Sequence, residues 1–351
     1  MSTEATRAQS APTRGPAGYA GFRAMIKAVA TGPRGSRDLT FDEARDATAA
    51  LLAGEVSPAQ AGAFLIGMRV KGEAGEELAG VAAALRDRST PLAAPDGPAI
   101  VASAGAFDGV ADAPPLGLAA SVCAAAAGIR VVTACGGRLG PKHGITVAEV
   151  LSALGGPARP TPAESEGMLA RSGVAVVHAG EALPGWDALA ALRDEIGLRG
   201  PVHSAEKLVD WFGARRFVVG HTHGGYAPRL LGALERLGAS AAIAVRGVEG
   251  SDLLRPGRPV AVALGGTPLE LPERLGMVLR GDADPEVAAG LTRAVLGGDD
   301  DGAARHAVVL SAAIRLVAGG AAPDVGDGVR RAAAAIDDGR AAATLDALVG
   351  A

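Results

Sequence analysis

The sequence predicts an α/β protein: a small N-terminal all-helical domain, then a large α/β domain with a mainly parallel central sheet flanked by helices. Three observations predict it. Between Asp38 and Pro95 the chain carries three short helical patterns with capping signals and no strand pattern. From Pro98 onward, β-branched or alanine-rich apolar runs alternate with helical stretches, the pattern of a mainly parallel sheet. A length of 351 residues, 48% hydrophobic and 21% charged, suffices for one large and one small domain.

Residues 1–37 form a basic segment, expected to be partly disordered, in which Arg7, Arg14, Arg23, Lys27, Arg34 and Arg37 are opposed only by Glu4. Within it GFRAMIKAVATG predicts a short helix docking through Phe22, Met25, Ile26 and Val29. The helical domain spans 38–95. Thr40 and Glu43 have capping-box spacing before ARDATAALLAG; Ser57 and Gln60 repeat it, with Pro58 at the first helical position; a third helix, GEELAGVAAALRDRS, opens at Gly75. Helices near 162–195 are expected to complete this domain. The α/β domain takes 97–161 and 196–351, with strand signals IVASAG, IRVVTACG, VAVVHAG, FVVGH, AAIAVRG and PVAVALG. Helical stretches such as AEVLSALGG, WDALAALRDEIG and APRLLGALERLG lie between them. Two C-terminal helices, HAVVLSAAIRLVAGG and VGDGVRRAAAAIDDGRAAATLDALV, are expected to cover the sheet.

Composition narrows the function. Aromatic residues make up 3% of the chain, too few for a base-stacking surface of the single-strand-binding kind. A net charge of −4 and a pI near 5.9 count against whole-surface attraction to nucleic acid and leave a local basic patch open. Cys123 and Cys135 lack zinc-site spacing and read as core residues in a reducing compartment. No apolar run approaches a membrane span, and the first residues lack the apolar core of a signal peptide, so the expected location is cytoplasmic, with no membrane partner.

The chemistry concentrates between Ile100 and Gly155. Strand, glycine loop and helix occur there twice in succession: Gly105, Asp108 and Gly109 lie in the first loop, Arg138, Lys142 and His143 in the second. A chain that turns on glycine before a helix exposes backbone N–H groups, which together with the helix dipole favour phosphate or carboxylate. His203, His221 and His223 have no helical HxxxH spacing, so a histidine metal site is not supported.

The run LTFDEARDATAALLAGEVSPAQAGAFLIGMRVKGEAGEELAG resembles the N-terminal helical domain of the glycosyltransferase family that contains anthranilate phosphoribosyltransferase and, more distantly, the pyrimidine nucleoside phosphorylases. VLGGDDDGAARHAVVLSAAIRLVAGG and VRRAAAAIDDGRAAATLDAL resemble its C-terminal end, so the resemblance runs from Asp38 to the end of the chain. IKAVATGPRGSRDL, GRLGPKHG, HTHGGYAPRL and RGVEG look most like a divergent, anthranilate phosphoribosyltransferase-like branch, some members of which are implicated in nucleic-acid binding.

The resemblance implies an interdomain cleft for phosphoribosyl pyrophosphate, homodimerisation through the helical domain around Ala61, Gly62, Ala63 and Gly67, and Mg2+. Members hold pyrophosphate with a GTGGDG loop and an Asn-x-Ser-Thr helix start; here Ala106 and Phe107 interrupt the first, and Pro115, Leu116, Gly117 and Leu118 replace the second. The Lys-His-Gly-Asn-Arg-Ser loop is reduced to Gly136 and Arg138, with Lys142 and His143 following. A Gly-x-Asp-Glu magnesium pair becomes a single carboxylate, Glu249, with Asp252 nearby, and Arg193 and Arg199 match the Arg-x-x-Leu-Gly-x-Arg segment on the acceptor side. The expected phosphate and substrate ligands are therefore Gly105, Asp108, Gly109, Arg138, Lys142, His143, Arg193 and Arg199. The function expected is that of a phosphoribosyltransferase-like pentosyltransferase, not a true anthranilate phosphoribosyltransferase, using phosphoribosyl pyrophosphate or a related activated sugar. The alternative is a non-catalytic nucleic-acid (polyanion) binding protein.

Overall fold

A computed structural model describes residues 20–105, 107–255, 257, 259–272, 279 and 281–350. Most of the basic N-terminal segment, and Ala106 of the first glycine loop, lie outside the described residues.

Six strands form one sheet: β1 (Ile100–Ala104), β2 (Arg130–Cys135), β3 (Val174–His178), β4 (Arg216–His221), β5 (Ala241–Arg246) and β6 (Ala261–Ala263). Their spatial order is β3-β2-β1-β4-β5-β6. The first five are parallel, and the short β6 runs antiparallel to β5 with Ala244 opposite Val262. Side chains alternate between two cores, as a period of two requires. Val101, Val131, Val176 and Val218 enter one with the helices Gly117–Ala126 and Ala303–Gly319. Ala102, Val132, Val177 and Val219 enter the other, which is continuous with Leu51, Phe64, Leu78 and Leu85 of the helical domain. The small domain therefore shares its core with one face of the sheet.

The helical domain follows its capping signals. Thr40 and Glu43 close a reciprocal capping box on Phe41–Leu52, and Ser57 with Gln60 closes another on Pro58–Lys71. The helix Phe22–Ala30 packs on Pro58–Lys71, burying Met25 and Val29. Of the two helices expected to complete this domain, Trp186–Ile196 packs against Phe41–Leu52 and Pro58–Lys71, whereas Pro162–Ser172 lies on β3 and Arg340–Val349 in the α/β domain. The last predicted helix is two, Val325–Asp337 and Arg340–Val349. Gly339 at φ +79° breaks it, a left-handed backbone that ends helices at little cost for glycine.

Close approach sets the helix pair Phe41–Leu52 and Gly75–Arg88. A Cβ on Gly80 would stand 2.3 Å from the carbonyl oxygen of Phe41 and 2.8 Å from Ala44 Cβ, whereas one on Gly62, also in a helix, meets nothing within 4 Å. Gly80→Ala is expected to destabilise the protein by about 1–3 kcal/mol through overpacking against backbone. Gly62→Ala should stabilise it by about 0.5–1 kcal/mol through helix propensity. Urea unfolding of both variants tests this pair, and equal effects would contradict it.

Candidate active-site cleft

In an open parallel sheet the ligand crevice opens where neighbouring strands send their connections in opposite directions. Here that point lies between β1 and β4, which are adjacent in space while β2 and β3 extend to the other side. A cleft of about 590 Å³ opens above it, within the usual range of small-molecule sites. Phe107 and Asp108 reach it from the loop after β1, Gly220 to His223 from the end of β4, Glu249 and Gly250 from the turn after β5, and Arg69 and Glu73 from the helical domain.

The first glycine loop packs closely against the second. Gly109 has φ +76°, and a Cβ there would lie 2.3 Å from the carbonyl carbon of Gly144, so the two glycine loops press backbone to backbone. Val110 and Ile145 exchange hydrogen bonds of 3.0 and 2.8 Å that stitch them. Phe107 is buried, its ring centroid 5.5 Å from that of Trp186. Gly105 and the helix start at Gly117 face the carboxylate of Asp252; a Cβ on Gly117 would lie 2.7 Å from its Oδ1. Oδ2 of the same carboxylate accepts from Ser103 Oγ at 2.8 Å and from Arg315 Nη2 at 2.5 Å. Burial lowers the pKa of Arg315, and Asp252 opposes that shift. The negative charge nearest this helix start thus belongs to the protein itself. The pocket beside this loop is about 50 Å³, lined by Val110, Pro114, Pro115 and Leu116 among others, room for a water or two.

The second loop sends its three candidate cations in different directions. Arg138 turns to Glu149 at 2.8 Å, and His143, at φ +50°, lies 3.3 Å from Asp194. Neither lines the large cleft. Lys142 points beneath it, 3.2 Å from Glu249 Oε2 and 3.9 Å from Asp108 Oδ1. Asp108 is buried and accepts from Arg199 Nε at 2.8 Å.

Glu249, the expected Mg2+ ligand, has φ +51° and accepts from the backbone N–H groups of Ala111 at 3.0 Å and Asp112 at 2.8 Å in addition to its contact with Lys142. Asp252 is held by Arg315 and Ser103 outside the large cleft, whereas Glu249 lines that cleft beside Lys142. Among the described residues no three His, Cys, Asp or Glu side chains converge on a metal position.

On the acceptor side Arg193 is buried, outside the large cleft, 2.9 Å from Glu206 Oε2 and 5.2 Å from the Trp186 ring centroid. The pair meets by distance without hydrogen-bond angles, since the guanidinium nitrogens and the carboxylate oxygens make no hydrogen bond. Burial pushes the Glu206 carboxyl up to about 7 against the pull of Arg193. His203 Nδ1 accepts from Gly200 N–H at 3.2 Å, leaving Nε2 to donate to Gly140 O at 3.2 Å; burial first, then Arg193, pushes it down to about 2. Burial also lowers His221, whose Nδ1 donates to the carbonyl of His223 at 3.2 Å. Lys207 is partly exposed on the cleft floor, and burial of its ammonium pushes it down to about 8.

Arg69, Glu73, Tyr226 and Arg229 complete the cleft and carry no motif. Tyr226 donates to Glu73 at 2.9 Å across the domain boundary, Arg229 stacks over the Tyr226 ring, and Arg69 donates to the carbonyl of Arg199. Only their position at the end of one helix and the start of another, on opposite sides of the crevice, unites them.

Comparisons with known proteins agree with this architecture. The helical-bundle domain of a glycosyl transferase family matches residues 23–89, and the α/β domain of such a family matches residues 113–342. Anthranilate phosphoribosyltransferase of Methylobacterium nodulans is 38% identical over 347 residues, covering 93% of this chain and 98% of the relative. That of Rubrobacter xylanophilus is 31% identical over 338 residues, covering 93% and 96%. Among solved structures, anthranilate phosphoribosyltransferase from Thermus thermophilus superposes with a TM-score of 0.80 at 28% identity, covering 90% of this chain and 96% of that one. The Saccharomyces cerevisiae enzyme in complex with PRPP and Mg gives 0.77 at 16% identity, covering 93% and 96%, a likeness of fold.

The neutral, buried His203 makes an acid-dependent stability effect. The unfolded chain protonates histidine below about 6.5 and the native site does not, so this group's contribution is lost as pH falls through that value. Glu206 shifts the opposite way and is common to wild type and variant. The stability difference between His203→Gln and wild type should therefore move in the variant's favour by about 1.4 kcal/mol per pH unit below 6.5. Denaturant titrations across that range test it; a pH-independent difference would show that His203 titrates normally.

Proposed function

Because this chain belongs to the glycosyl transferase family built of a helical bundle and an α/β domain, we propose that it is a cytoplasmic, phosphoribosyltransferase-like pentosyltransferase whose acceptor is not anthranilate. Its anionic ligand sits in the large interdomain cleft and not in the first glycine loop. One contrast carries this reading: the pocket beside the first glycine loop is about 50 Å³ and faces the protein's own Asp252, while the 590 Å³ cleft carries Arg69, Lys207 and Arg229, none in an ion pair with a carboxylate among the described residues. Pentosyl transfer passes through an oxocarbenium-like state, and the protein contributes by neutralising the departing phosphate and positioning the nucleophile. The cations of the cleft contribute to that neutralisation. Homodimerisation through the helical domain would draw on the accessible Gly62 and Ala63, since Ala61 is buried and Gly67 packs against Val29 and Ala30 of the same chain.

Isothermal titration calorimetry should detect phosphoribosyl pyrophosphate binding in the presence of Mg2+; no heat at millimolar ligand would overturn the reading. Each lost pyrophosphate donor costs about 10²–10³ in rate, so anthranilate turnover should fall at least about a thousandfold below that of the Methylobacterium nodulans relative. Comparable turnover would make the acceptor anthranilate after all.

A second reading, polyanion binding without turnover, is supported by the exposed Arg23 and Arg34 on the segment packed beside the helix that carries Arg69. It calls for a nucleic-acid complex in low-salt gel shifts whose affinity drops steeply with added salt.

A further inference from the structure

Lys207 lies in the 3-10 turn Glu206–Leu208, and its side chain bridges two segments that frame the cleft. Nζ donates to Gly220 O at 3.0 Å, near the end of β4, and to Gly250 O at 3.1 Å, in the turn after β5. Those carbonyls occupy two of the three N–H bonds and contribute no charge. The third has no protein partner among the described residues, and Lys207 is partly exposed where it lines the cleft floor. The neighbouring cations are already neutralised: Arg199 by Asp108, Lys142 by Glu249, Arg193 by Glu206. Of these four, Lys207 alone makes no ion pair among the described residues. An ammonium with most of its surface shielded from water is costly without a counter-charge, and the two carbonyls fix its position whether or not a ligand is present.

We infer that Lys207 anchors an oxyanion subsite on the cleft floor, where a carboxylate or phosphate oxygen of the ligand accepts its third N–H while Arg69 and Arg229 supply further positive charge from the rim. This rests on the reading of the cleft as an anion site and assigns that role to a residue outside the glycine loops. It also gives binding a pH dependence. Burial holds the ammonium near 8; Glu206 and Asp108 favour the charged form, Arg199 and Lys142 oppose it, and His203 and His221 face it in neutral form. An incoming anion stabilises the charged form, so above about pH 8 the complex takes up a proton and affinity falls by up to about tenfold per unit.

The test is calorimetric titration of the full chain with sulfate, which does not itself titrate in this range. Wild-type affinity should fall about fivefold from pH 8 to pH 9 and approach about tenfold per further unit. Lys207→Met should lose at least about tenfold in affinity at neutral pH, and Lys207→Arg should bind at neutral pH without the alkaline loss, since guanidinium stays charged. A pH-independent wild-type affinity, no sulfate binding at all, or unchanged binding by Lys207→Met would each overturn the inference, and the first two need no variant to fold. Phosphoribosyl pyrophosphate bound equally well by wild type and Lys207→Met would remove the anchor and leave the pentosyltransferase reading intact. Sulfate binding with the expected pH profile, in a protein that does not bind phosphoribosyl pyrophosphate, would support the anchor and remove that reading.

Discussion

The ion pair between Asp108 and Arg199 closes the loop after β1 onto the segment that follows the helix Trp186–Ile196, and the layout of the cleft depends on it. Asp108 is buried, so its charge has to be met by a donor close at hand; Arg199 meets it directly and Lys142 from further off. Lys142 in turn reaches Glu249, whose carboxylate clamps the backbone of Ala111 and Asp112. Four segments distant in sequence are thereby locked by one alternating chain of charges. Removing any member would strand a buried or half-buried charge, a larger penalty than the surface ion pairs of the C-terminal helices carry.

The same rule governs the other side of β1. Arg315 stands in the C-terminal half of the helix Ala303–Gly319, and it is entirely buried. A buried charge requires a partner close at hand, and Asp252 supplies it from the turn after β5. The pair places a fixed carboxylate against Gly105 and Gly117, where the backbone geometry of the loop would otherwise suit a bound anion. The Asp252 carboxylate takes that place against Gly105 and Gly117, beside Pro115 and Leu118, where the resemblance led to an expectation of polar groups.

Local signals are legible in the sequence and long-range ones are not. The boxes Thr40–Glu43 and Ser57–Gln60 form because side chain and backbone are three residues apart, and strands such as Val174–His178 are legible because residues buried on both faces leave a continuous apolar run. The break at Gly339 is hidden because the flanking segments, each helical in composition, mask one glycine between them. At the site, the sequence locates the loops that carry Asp108, Lys142 and Arg199, since their glycines mark turns. It does not give the directions of the side chains within a loop. Arg138, Lys142 and His143 lie within six positions of one another and end on Glu149, Glu249 and Asp194, because each takes the nearest carboxylate that the fold supplies. Arg193 lies on a legible helix, yet which of its faces meets Glu206 depends on the packing of Pro201–Ala205 against its neighbours.

Lys207 differs from all of these in the kind of partner that holds it. Side chains that pair with carboxylates are neutralised in place, and a ligand that competed for them would first have to break a buried ion pair. Backbone carbonyls position an ammonium without cancelling its charge, so Lys207 remains fixed and available at once, which lowers the reorganisation cost of binding. Its carbonyl partners, Gly220 and Gly250, lie near the carboxyl end of β4 and in the turn after β5, the edge at which parallel sheets bind ligands. On the proposed reading, the charge that serves this edge is a side chain held by two carbonyls and not the backbone N–H groups of a glycine loop. A glycine loop favours an anion at any pH at which the ligand is charged; an ammonium near pH 8 favours it only while protonated, and that difference distinguishes the two designs.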